Sequence, residues 1–406
     1  MRGRKAVLFG LACVLVATGA LSRAAEWPQW RGPGRDGVTT GVTIPDPWPT
    51  SPPRVWQTEV GLGHSSPVIA DGKLVQHTRQ GDQEVVACFD AASGKLLWKA
   101  SYAAGAFKPQ RVARGHGTGP FATPAIANSK VYTLGVSGEL SCFDLGSGKV
   151  LWRHTFQDDY EKPYPTWGAA NSPLVDGPRC VLAVGTDDDG ALAAFHKDTG
   201  KALWRLTDDG PAYASAQAAT LGDVRQVVTV TQGRVCGVAP ETGKLLWQVP
   251  FKVRYGMNIV TPAIRGDTVV YSGAYAGTTA VHIAPGDGLK PTKQWHNEHE
   301  SMFMSSPVRR GECLYGLAMR GRGKGALVCL ALGDGTTKWS SPEMSDYASI
   351  VRVGDRLLVM AASGDLLLVA AEPGDYRELG RSKLTERPVW AHLAVVGDRL
   401  YVKDKT

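Results

Sequence analysis

One ten-residue phrase recurs along this chain at a near-constant interval. FDAASGKLLW (89–98) returns as FDLGSGKVLW (143–152), FHKDTGKALW (195–204) and VAPETGKLLW (238–247). LALGDGTTKW (330–339) is a weaker copy, and IAPGDGLKPTKQW (283–295) carries an insertion. With Trp56 added, the tryptophans stand at 56, 98, 152, 204, 247, 295 and 339. That interval suits a four-stranded propeller blade of about 40–45 residues plus variable loops. Each unit opens alike: Ser66-Pro67, Thr123-Pro124, Ser172-Pro173, Thr261-Pro262 and Ser306-Pro307 each lead into a strand. The Ser/Thr-Gly-Lys element then reads as the turn between third and fourth strands, with Gly supplying the positive φ. Apolar residues alternate at period two, as in half-buried strands, and helical periodicity is absent.

The expected fold is all-β, an eight-bladed propeller of four-stranded blades. Six blades end at Trp98, Trp152, Trp204, Trp247, Trp295 and Trp339, whose role is expected to be structural. A seventh, degenerate copy spans about 348–383, and an eighth starts near Val389. RVWQTEV (54–60) is expected to be the missing strand of the last blade, closing the ring and removing exposed sheet edges. The chain stops at Thr406 before a clear third strand, so that blade is short or the sequence truncated.

Residues 1–24 carry the order of a cleaved signal peptide: Arg2, Arg4 and Lys5, an apolar run from Ala6 to Leu21, then small residues around Arg23. Sixteen apolar residues are too few for the roughly 20 that span a bilayer. Residues 25–53 form a lead-in, and 54–406 the propeller. Cleavage removes four basic residues from a formal +7 and leaves +3, too small a surplus to indicate a nucleic-acid partner. The mature protein is expected to be exported, periplasmic or extracellular, soluble, and a monomer. Cys88, Cys142, Cys180, Cys236, Cys313 and Cys329 show no C-x-x-C spacing, and are expected to be buried free thiols.

The A-x-[DE]-x-[TS]-G-K-x-x-W repeat with its Ser/Thr-Pro lead strand resembles the pyrroloquinoline-quinone-like (PQQ-like) propeller family. WPQWRGPGRDG (27–37) is similar to the opening segment of many secreted members. The resemblance implies one of two functions. In one branch, quinoprotein dehydrogenases bind the quinone and calcium over the propeller axis. In the other, non-catalytic propellers such as the outer-membrane assembly scaffold bind protein segments. The adjacent cysteines frequent in the first branch are missing, and Asp346 is the only carboxylate at the innermost-strand approaches. The expected function is therefore a non-catalytic scaffold for a protein or peptide, without cofactor, metal or catalytic residue. A PQQ-dependent oxidoreductase or small-ligand propeller is the alternative.

The channel mouth, ringed by loops leading into the innermost strands, is the expected binding place. His64, Ser65, Asn171, Gln217, Asn258, Met302, Met304, Tyr347, Trp390 and His392 stand there. Such uncharged amide, thioether and aromatic groups suit a peptide better than a phosphate or metal. Asp187-Asp188-Asp189-Gly190 lacks alternating calcium-loop spacing and reads as a solvated turn. The Arg320–Gly325 run reads as a charged turn, and His296 and His299 lack a third ligand. No helix follows the Gly-rich loop 114–119, so a phosphate cradle is not expected there.

Overall fold

The computed structural model describes residues 26–286 and 288–405; the signal-peptide reading of residues 1–24 lies outside them. Seven sheets follow one another along the chain, each built on an antiparallel four-stranded up-and-down meander; the sixth adds the short strand Met344–Ser345, and the seventh adds Val38–Thr39 in parallel. They span 68–103, 125–154, 174–206, 217–250, 263–297, 308–340 and 348–383. An eighth sheet has two strands, Ala394–Val396 and Arg399–Tyr401. This is the architecture of a β-propeller.

The inner strands do not alternate as expected. The third strand of sheet one, Gln83–Asp90, is buried from Glu84 to Phe89 without a break. Its fourth strand, Leu96–Ala103, is mostly exposed. Both faces of each inner strand are covered because the sheets pack face to face, and continuous apolar runs mark strands of that kind. The core accordingly lies between sheets. One cluster joins Val75 and Val86 of sheet one to Val131 and Phe143 of sheet two. Another brings Phe89 of sheet one, Leu358 of sheet seven and Leu393 and Val395 of sheet eight together.

The repeated motif explains how neighbouring sheets dock. Gly94, Gly148, Gly200, Gly243 and Gly335 all have φ between 71° and 75°, which glycine tolerates best. Each also lies beneath a tryptophan of the preceding unit. A Cβ on Gly148 would come within 2.4 Å of the Trp98 ring, and one on Gly243 within 2.4 Å of Trp204. The indole N–H then donates to a backbone carbonyl next door: Trp98 to Leu145 at 2.8 Å, Trp152 to Lys197 at 2.9 Å, Trp204 to Pro240 at 2.8 Å. Trp295 and Trp339 do likewise with Leu332 and Glu372, each at 2.7 Å. Trp247 donates instead to Gln226 within its own sheet.

Two further tryptophans come from the lead-in. Sheet seven has Gly380 at the register where other sheets carry Trp, and the Trp48 ring lies against it. Trp48 also donates to Ser382 Oγ at 2.8 Å. Trp56 covers Gly94 of sheet one and donates to the Ala91 carbonyl at 3.1 Å. Residues 54–60 thus supply a docking ring but form no ladder with sheet eight, contrary to the expected closing strand. The physical reason is that a fourth strand pairs with a third, and sheet eight has none among the described residues. All six cysteines of the described residues are buried free thiols, as expected.

Candidate functional site at the channel mouth

The Ser/Thr-Pro approaches meet around the axis and bond to one another. The N–H of Ser66 donates to Thr123 Oγ1, that of Thr123 to Ser172, Ser172 to Ser215, Ser215 to Thr261 and Thr261 to Ser306, all within 2.9–3.1 Å. Ala348 N–H donates to Ser305 at 3.1 Å, Leu393 N–H to Ser349 at 3.0 Å, and His392 N–H to Ser66 at 2.7 Å. Ser66, Thr123, Ser172, Ser215, Ser305 and Ser306 line a cavity of about 140 Å³.

The lead-in packs beside this cavity and contributes Trp30 to its wall. Trp27 pairs with Ile69 in both directions at 2.8 Å, and Val38 pairs with Arg352 of sheet seven. Between them, Arg35 donates to the Pro173 and Ser172 carbonyls at 2.8 and 2.9 Å. Arg31 donates to the carbonyls of Pro307 and, at 3.0 Å, Asp36. Burial lowers Arg31 to about 10 and Arg35 to about 9, both still cationic at neutral pH. Carbonyl dipoles accept from the terminal nitrogens of both cations, which makes burial of charge tolerable, although each Nε is buried without a partner. Trp30 packs on His392, with ring centroids 6.2 Å apart.

Aromatic rings crowd the other side. Trp390 stacks on Tyr347 at 5.1 Å and on His64 at 5.8 Å. His116 meets Trp390 edge-on at 4.5 Å, and Phe121 tilts against His64 at 5.2 Å. Burial lowers His64 to about 3, helped by His116, Lys403 and Lys405, so its ring is neutral. His392 falls to about 3 as well, through burial and then Arg31. The mouth is thus aromatic and mostly uncharged.

Of the ten residues expected here, five share the cavity wall: His64, Met304, Tyr347, Trp390 and His392. The other five are buried outside that wall, and the Ser65 hydroxyl is without a partner there. Asn171 holds Ala183 through both amide atoms, at 3.0 and 2.9 Å. Asn258 donates to Thr231 O at 2.8 Å, and Gln217 donates to Pro262 O. Met302 is fully buried against Gly316, and Ser65 sits beneath the mouth, its carbonyl accepting from Gln76 at 2.8 Å. His116, Phe121 and Trp30 belong to the site although the sequence pattern did not single them out. The Gly-rich loop 114–119 was the nearest signal, and it delivers His116 rather than a phosphate cradle.

The isolated polar signals are engaged. Asp187 accepts from Thr166 N–H at 3.0 Å and from Gln232 at 3.2 Å. Arg320 pairs with Glu300 at 2.9 Å, and His296 bonds Thr279 Oγ1 at 2.9 Å. Among the described residues no three His, Cys, Asp or Glu side chains cluster to hold a metal ion. Nor is any helix there long and apolar enough to cross a membrane.

The profile of the family described as "Outer membrane protein assembly factor BamB" matches residues 81–341. The chain belongs to that family. It is 25% identical over 433 aligned positions to the outer membrane protein assembly factor BamB of Yersinia pestis, covering all of this chain and 98% of that protein. The crystal structure of BamB from Moraxella catarrhalis superposes with a TM-score of 0.60 at 16% identity, covering 84% of this chain and 91% of that one. A quinohemoprotein alcohol dehydrogenase from Comamonas testosteroni superposes with a TM-score of 0.67 at 14% identity, over 94% and 76% of the two chains. At such identities these structural likenesses speak for the fold alone.

Proposed function

We propose that this protein is a non-catalytic extracytoplasmic scaffold, a closed eight-bladed propeller that binds a protein segment at the aromatic mouth of its axial channel. The observation that carries this reading is the mouth itself: stacked, neutral rings over a cavity too small for a substrate. Small-molecule sites occupy roughly 300–1,000 Å³, whereas this cavity holds about 140 Å³. Most of its hydroxyls accept from neighbouring backbone N–H groups, and its imidazoles are poor bases at neutral pH. Aromatic anchors of this kind are the usual centres of protein recognition. Relatives named as assembly factors, with the charged and apolar order of residues 1–24, support an exported scaffold.

The quinone reading is favoured by the likeness to quinoprotein alcohol and methanol dehydrogenases. The residues around the axis do not fit that group: there is neither the volume for a tricyclic quinone nor a carboxylate set for calcium. Two measurements test the proposal. Titration with PQQ and calcium should leave the absorbance spectrum a simple sum; a bound-quinone spectrum would reinstate the alternative. Photo-crosslinking from position 390 in an envelope fraction should capture a discrete partner, and a Trp390→Ala, Phe121→Ala double variant that stays folded should lose it on co-purification. Undiminished co-purification would place the interface elsewhere.

A further inference from the structure

The hydroxyls in the wall of the axial cavity accept hydrogen bonds but give none. Ser66, Thr123, Ser172, Ser215, Ser305 and Ser306 each take one backbone N–H, within 2.7–3.1 Å. None of the six donates to another protein group among the described residues. Their O–H groups are therefore available as donors around a space of about 140 Å³.

His392 adds the opposite capacity. Its Nδ1 faces the Leu393 carbonyl at 3.1 Å, and a carbonyl only accepts, so the proton of the neutral ring sits on Nδ1. Nε2 is left as a lone-pair acceptor. It is buried without a partner, on a side chain that is 7% exposed and stands in the cavity wall.

Charge around the cavity is unbalanced. Arg35 donates to the carbonyl of Ser172, a wall residue, at 2.9 Å. The guanidinium carbon of Arg31 lies 5.4 Å from the ring centroid of Trp30, another wall residue. Both arginines are almost fully buried. Asp36 offsets Arg31, whereas the side chains acting on Arg35 are Arg31 and the Cys180 thiol, which burial keeps neutral. The wall contains no Asp or Glu. A buried cation without a counter-charge is costly, and an anion close by relieves that cost.

We propose that the axial cavity binds a small carboxylate that carries its own hydroxyl, of the glycolate type. The carboxylate accepts from the serine and threonine hydroxyls and offsets Arg35, while the ligand's O–H donates to His392 Nε2. At roughly 30 Å³ for each water-sized group, the space holds about four or five non-hydrogen atoms, the size of glycolate. The wall imidazoles His64 and His392 are too weakly basic to take a proton from it, so the anion is held and not converted. The site lies beneath the aromatic mouth and needs nothing docked there.

Calorimetric titration of the full chain with sodium glycolate at fixed ionic strength should show saturable binding, one per chain. Acetate has the charge without the hydroxyl, and glycolamide the hydroxyl without the charge. Each should bind about tenfold more weakly. His392→Leu should erase the preference for glycolate over acetate, which loss of packing alone would not do. The three ligands need no change in the protein, so a misfolded His392→Leu leaves the test intact. Absence of saturation with glycolate overturns the proposal, as does equal binding of acetate or glycolamide. A folded His392→Leu that keeps the full preference overturns it too. No protein partner enters this titration, so its failure is distinct from failure of capture at position 390.

Discussion

The backbone N–H of His392 donates to the Ser66 hydroxyl across 2.7 Å, although 326 positions separate the two residues. This bond joins sheet eight to sheet one, and Leu393 N–H to Ser349 continues the line to sheet seven. Hydroxyl side chains thus do at the axis what a shared ladder would do at a sheet edge.

Ser66→Ala should test that link. The substitution leaves the buried N–H of His392 without an acceptor, which costs about 1–3 kcal/mol. Urea unfolding should show the lower midpoint with an unchanged slope. A parent-like midpoint would mean that the bond carries no closure energy.

The docking tryptophans should be structural. Trp152 is 9% exposed, and Trp152→Ala is expected to lose about 3–5 kcal/mol. Trp56→Ala should also lower the thermal midpoint, by less because Trp56 is only half-buried. If Trp56→Ala melts like the parent, the lead-in ring contributes nothing to joining the last sheet to the first.

Arg35 offers a test of how the lead-in is anchored. Arg35→Met keeps much of the volume but removes a cation held by the Pro173 and Ser172 carbonyls. Hydrogen bonds to charged groups are each worth about 1.5–3 kcal/mol. Hydrogen exchange at Trp27 through Gly37 should accelerate before the sheets open. Unchanged protection there would contradict the anchoring role.

A pH effect should arise between sheets one and two. Burial pushes the Glu84 carboxyl up, but hydrogen bonds from Tyr102 at 2.6 Å and Val136 N–H at 2.9 Å, with His77 at 3.2 Å, hold it below its ordinary value. Glu139 is raised from 4.5 to about 7 by burial and then by Glu84. The folded chain keeps a proton on Glu139 that the unfolded chain releases. That contribution is full below pH 4.5 and is lost as pH rises through 7, with an upper bound of about 3 kcal/mol. His64 and His392, both lowered to about 3, act in the opposite sense as pH rises toward 6.5. Subtracting the Glu139→Gln curve from the parent curve cancels them. The difference should fall from pH 4.5 to 7, and a flat difference would show that Glu139 titrates normally.

Much of the architecture was legible because the turn chemistry is local. Gly148 needs its positive φ whatever surrounds it, and Trp152 follows four residues later, so the repeat could be counted along the chain. The site was only half legible. Trp390 and Tyr347 lie in the cavity wall, whereas Asn171 and Asn258, expected beside them, bond to the backbone at Ala183 and Thr231. An amide's partner depends on which backbone passes nearby, and spacing along the chain carries no such information.

By itself the sequence determined the strand order, the turns, the buried free thiols and the docking role of the repeated tryptophans, all consequences of contacts within or between successive repeats. Tertiary structure alone decided the rest. Trp48 and Trp56 of the lead-in cover Gly380 of sheet seven and Gly94 of sheet one, and Arg31 and Arg35, from a segment with no repeat, reach the carbonyls of Pro307 and Pro173. These arrangements join residues hundreds of positions apart. They arise because residues far apart along the chain become neighbours only when the sheets pack together in space.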